Sequence, residues 1–102
     1  MKKLVLLGLF IAINTISIAQ QGWKWPEDVE TAKEKNALYV DAVKSKQFAT
    51  AVAPHQWLLD NAPDLNESLY INGAKIYEGL VDAESDPAKK LALQEKALSM
   101  YD

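Results

Sequence analysis

His55 is the only side chain here whose ordinary pKa would let it trade protons near neutral pH. The chain holds no second histidine and no cysteine, so thiolate nucleophiles, disulfides and thiolate zinc sites are excluded. Without such companions His55 lacks the partners of a metal ligand or a catalytic base. It also falls on an apolar helical stripe, so the expectation is a packed, hydrogen-bonded ring. The stretch "DAESDPAKKLAL" spaces Asp82, Glu84 and Asp86 as a calcium loop would. Pro87 stands where that loop needs glycine, and Leu93 where it needs a bidentate glutamate, so a solvated acidic turn is expected instead. "GWKWPED" carries two tryptophans that a sugar could stack on, although a tryptophan before a helix more often packs over its first turn. There is no phosphate-cradling glycine loop and no nucleophile elbow. No catalytic, cofactor or metal site can be assembled from these residues.

The elements that would carry these residues are helical. Sustained alternation and Asn-Gly or Asp-Gly turns are missing, while apolar residues recur at helical spacing. A first helix is expected from near Pro26, with Glu27, Asp28 and Glu30 favouring the positive end of its dipole, to about Ser45. The second covers "FATAVAPHQWLLDNAP", with Phe48, Val52, His55 and Leu59 on one stripe and Ala51, Leu58 and Ala62 beside it. Pro54 should kink it or mark where its regular part starts, because an interior proline costs roughly 3 kcal/mol. Pro63 ends it. Asp64 and Glu67 form a capping-box pair before a third helix, whose stripe is Leu65, Leu69, Gly73, Ile76 and Leu80. Asp86 and Pro87 open a fourth, with Leu91, Leu98 and Tyr101 repeating along it.

Residues 1–19 read as a secretory signal peptide. Lys2 and Lys3 precede an apolar run from Leu4 to Ile13, and Ser17 and Ala19 are the small residues of a cleavage site. A retained anchor would need roughly 20 apolar residues, and Asn14, Thr15 and Ser17 interrupt the run first. Cleavage after Ala19 would leave Gln20 as the first mature residue, followed by a lead-in over 20–31. Arginine is absent; eleven lysines less Lys2 and Lys3 leave nine against fourteen acids, a net charge of −5 beyond the leader. That balance repels nucleic acid and anionic membrane surfaces. The lysine-only usage and short leader point to a Gram-negative bacterium and a periplasmic or extracellular product, with no stable membrane insertion once the leader is gone.

Helices of this length joined by short turns must pack as antiparallel hairpins. Phe48, Ala51 three residues later and Pro63 twelve further on resemble the second half of a tetratricopeptide repeat, a unit of about 34 residues. Leu38 falls on that family's leucine position, Gly73 on the glycine of the next unit, and Ala97-Leu98 on its late Ala-Leu pair. "NGAKIYEGL" and "DPAKK" are similar to segments of exported bacterial members of the family. Departures are Lys35 for tryptophan, Tyr39 for a small residue, Ala42 for tyrosine, the unusual Pro54, and about five extra residues between Asp82 and Pro87 by the family's ruler. The resemblance implies an all-α fold over 32–102: two stacked helical hairpins in a short right-handed solenoid, following the leader. Arrays of this kind need about three units and a polar cap, so the expectation is the N-terminal portion of a longer protein. The rival is a last helix that docks on a partner or a second copy.

The resemblance also implies a role. Such arrays present the concave face of their first helices to a peptide or a partner protein, which makes this chain a non-enzymatic interaction scaffold of the cell envelope. The alternative is an accessory or binding domain of a larger exported protein. Carried over position by position, the partner-binding face would show Asn36, Val40, Tyr70, Ala74 and Tyr77, flanked by Lys33, Val43, Lys44, Glu67 and Glu78. An alternative reading of the same spacing packs Val40, Tyr70 and Tyr77 between the units.

Overall fold

A computed structural model describes residues 22–101, and the signal peptide expected at 1–19 lies outside them. Among the described residues four helices follow one another: α1 (Val29–Lys44), α2 (Phe48–Asn61), α3 (Ser68–Ala83) and α4 (Pro87–Ser99). No strand occurs among the described residues. None of the described helices is long and apolar enough to cross a membrane. The closest pairings are α1 with α2 and α3 with α4; α2 also packs on α3, and α1 touches α3 more lightly. Among the described helices α4 rests on α3 alone.

The helix ends show how local chemistry sets these pairs. Helix α1 starts at Val29 rather than near Pro26, because the Asp28 carboxylate accepts the Thr31 N–H at 3.2 Å and caps it there. Its far end closes in a Schellman turn: Gln47 N–H bonds the Ala42 carbonyl at 2.8 Å and Lys46 N–H bonds Val43 at 3.0 Å. Lys46 adopts the left-handed backbone this turn requires, with φ 58°. The chain therefore reverses within three residues. Helix α2 begins at Phe48 and runs without interruption through Pro54, so its regular part does not wait for the proline. The carbonyl that Pro54 cannot meet belongs to Thr50, which is exposed and open to water.

Helix α3 is capped by Asn66, whose Oδ1 accepts the Leu69 N–H at 2.8 Å, and not by the Asp64–Glu67 pair. Asp86 caps α4 as its sequence implies, accepting from Lys89 N–H at 3.1 Å with Pro87 in the first turn. The lead-in is pinned too: Lys24 N–H bonds the Leu65 carbonyl at 3.1 Å, and Trp23 and Trp25 pack partly buried against the core.

Small residues occupy interior positions where two helices must approach closely. Ala32 and Ala51 are fully buried, and around them lie Tyr39, Leu58, Leu65, Leu69, Ile76 and His55. Two departures from the sequence reading stand out. Tyr39 is buried while Leu38 is 51% exposed. In α4 the expected stripe of Leu91, Leu98 and Tyr101 faces outward, and Ala97 and Met100 turn inward with half-buried Leu93. With α3 as its only helical neighbour among the described residues, α4 buries one narrow face and leaves other apolar side chains exposed.

Candidate functional site: an interaction face on α1 and α3

Helices α1 and α3 touch lightly, whereas α2 and α4 do not touch each other. Two grooves border α3, one of them shared with α1. One, of about 650 Å³, is lined by Val40, Val43 and Lys44 of α1, Phe48 at the start of α2, and Asn72 and Lys75 of α3, among others. The other, of about 610 Å³, runs along α3 toward the end of α4, past Glu67, Tyr70, Ile71, Ala74, Met100 and Tyr101. Glu78 borders both.

The five residues singled out from sequence are distributed unevenly here. Val40 and Tyr70 are half-buried and line the first and second grooves respectively. Ala74 is 2% exposed and forms part of a groove floor. Asn36 is half-buried and lines neither groove. Tyr77 is 5% exposed and packs inward, with the Lys96 ammonium 5.9 Å from its ring centroid. Burial raises the Tyr77 phenol above its ordinary pKa, which keeps it neutral. Its side chain thus belongs to the α3/α4 contact. The Tyr70 hydroxyl donates to the Pro63 carbonyl at 2.6 Å, which fixes the ring at one end of its groove.

Ile71, Asn72, Lys75, Met100 and Tyr101 also line these grooves and were missed in the sequence reading. Ile71, Lys75 and Glu78 are all exposed on α3 at i, i+4 and i+7 spacing. That periodicity was available in the sequence, but an exposed isoleucine there looks the same as a buried one. Tyr101 is a different case, since its hydroxyl donates to Glu78 Oε1 at 2.9 Å across the helix pair. The hydrogen bond, with the carboxylate charge, raises the Tyr101 pKa.

His55 is fully buried, away from both grooves. Its Nε2 lies 2.7 Å from the Leu69 carbonyl oxygen. A carbonyl can only accept, so Nε2 carries the hydrogen and Nδ1 is bare in the neutral ring. Nδ1 is buried and meets no hydrogen-bond partner among the described residues. Burial lowers the His55 pKa, the bond to Leu69 opposes that, and the Lys96 charge adds to it. Among the described residues no group of three or more His, Cys, Asp or Glu side chains is placed to hold a metal ion. No protein-family model, curated protein or solved structure matches the chain.

Proposed function

We propose that this chain is a non-enzymatic protein-interaction scaffold of the bacterial cell envelope. In this reading it is exported by a cleaved leader and built as two stacked hairpins of tetratricopeptide type. The observation that carries the reading is a pair of grooves, one between α1 and α3 and one along α3 toward the end of α4, both bordered by Lys75 and Glu78. Those grooves mix apolar side chains (Val40, Val43, Ile71, Tyr101) with Lys44, Lys75 and Glu78. A peptide or partner helix could bury its apolar residues there and meet charge of either sign at the edges. Gly73 beneath His55 and the buried Ala51 support the repeat resemblance, being small where helices converge.

Site-specific photo-crosslinkers test the proposal in the cell. Placed at Val40 and Ile71, they should yield discrete adducts, whereas placed at Ala53 and Gln56 on α2 they should yield none. Equal labelling from both sides, or none from the α1/α3 face, would remove the scaffold reading. N-terminal sequencing of the periplasmic or secreted protein should find Gln20 first.

A second reading, an accessory domain of a longer exported protein, is favoured by one specific feature. Leu91 and Leu98 on α4 and Tyr101 just past it are 57%, 66% and 68% exposed, beside a further groove lined by Val81, Ala97 and Leu98. Another helix packed there would cover them. The reading frame beyond Asp102 decides this: a stop codon directly after it ends the second reading.

A further inference from the structure

The ring of His55 sits where α1, α2 and α3 converge. It projects from α2. The Tyr39 ring of α1 meets it edge-on at 5.1 Å between centroids. From α3 come the Leu69 carbonyl, bonded to Nε2, and Gly73, where a Cβ would stand only 2.9 Å from the imidazole. Met100, just past α4, closes on the same glycine: that Cβ would be 2.8 Å from its Sδ. The charged and titratable groups facing the ring are few. Helix α1 offers the Tyr39 phenol, which is neutral throughout the range where histidine titrates because burial raises its pKa. Helix α3 offers a carbonyl and a glycine. Helix α4 offers the Lys96 ammonium, a like charge to an imidazolium.

We propose that His55 is a proton-sensitive latch between the two hairpins, holding α2 to α3 when neutral and releasing them when the ring is protonated. The Nε2–H bond to Leu69 joins the hairpins directly, because its donor belongs to the first and its acceptor to the second. Protonation would add an N–H at Nδ1, which is buried and meets no acceptor among the described residues. It would also bury an unpaired positive charge. The ring regains water only if α2 parts from α3. The latch acts whatever the α1/α3 face binds, so its failure and that of the scaffold reading are separable.

The sign follows from linkage. The folded ring resists protonation, so the unfolded chain binds more protons below the ordinary histidine value of about 6.5. Stability is fully present above that pH. It is lost as pH falls toward the depressed folded value. One histidine can change the folded-to-unfolded ratio by at most about tenfold per pH unit.

Denaturant unfolding of the mature protein between pH 7.5 and 5.5 tests the latch. The folded-to-unfolded ratio should fall several-fold to tenfold per unit below about 6.5. His55→Gln keeps a donor for Leu69 and cannot titrate, so its profile should be flat over the same range. The chain has no cysteine, which allows spin labels on cysteines placed at exposed Thr50 and Lys89. In denaturant just below the midpoint at pH 7.5, their separation should lengthen at pH 5.5 in the protein with His55 and stay fixed with Gln. If His55→Gln does not fold, the NMR shift of the native imidazole decides the matter. A ring that stays neutral until the transition supports the latch, and one that titrates near 6.5 in the folded protein overturns it. A flat wild-type profile, or an equal slope in the glutamine variant, overturns it as well.

Discussion

Gly79 has no side chain, and the Phe48 ring occupies the space one would need. The glycine carries α3 past the opening residue of α2, so the first hairpin and the second meet ring against bare backbone. In an exposed helix, Gly→Ala would stabilise by about 1 kcal/mol through propensity alone. Here the added methyl must displace an aromatic ring, and overpacking of that kind costs about 1–3 kcal/mol. Gly79→Ala is therefore expected to lower the melting temperature. In a Phe48→Ala background the same change should be neutral or stabilising, and a double-mutant cycle by thermal unfolding measures the difference. Additive effects would show that ring and glycine do not meet. Tyr39 teaches a related lesson. It stands where the repeat resemblance has a small residue, and it is accommodated by lying edge-on to His55 with Asn72 in a long 3.5 Å contact to its hydroxyl.

At the scale of the element, Pro54 is the conspicuous misfit. Helix α2 continues through it, and the hydrogen bond lost is the one to the carbonyl of Thr50, an exposed residue. Restoring the N–H with Pro54→Ala regains roughly 3 kcal/mol of helix stability, less up to about 1 kcal/mol for the freer unfolded chain. The expected net gain is about 2 kcal/mol by denaturant titration. No gain would mean that the half-buried pyrrolidine packs well enough to offset its backbone cost. The caps were only partly readable at this scale. Asp86 and Pro87 work as their types predict, and Asp28 caps the helix that Pro26 was expected to begin. Asp64 did not cap α3, since Asn66 lies three residues before Leu69 and reaches its N–H first. Several polar residues in a row offer competing caps, and the choice depends on where the chain arrives from the previous helix.

For the whole molecule, the uncovered apolar side of α4 separates what the fold needs from what it leaves available. Leu91 and Leu98 project outward, so in a monomer their replacement removes little buried surface. Leu91→Lys together with Leu98→Lys should change monomer stability by no more than about 1 kcal/mol, twice the usual range for a surface site. A much larger loss would show that these leucines are covered in solution, and sedimentation would then show whether a second copy covers them.

Sequence alone determined the helices, their order and most of their ends, because periodicity, prolines and caps act over a few residues. It also identified Ala51, His55, Leu69 and Ile76 as interior, since each lies on a stripe flanked by other apolar residues. Tertiary structure decided which face of each helix turned inward where two apolar stripes competed. Tyr39 over Leu38, and Ala97 with Met100 over Leu91 with Leu98, were settled by which neighbours existed to cover them. It alone drew Tyr77 inward beneath Lys96 while leaving Val40 and Tyr70 in open grooves. A helix can satisfy its own backbone wherever it lies, but a side chain is buried only when another element arrives to exclude water from it.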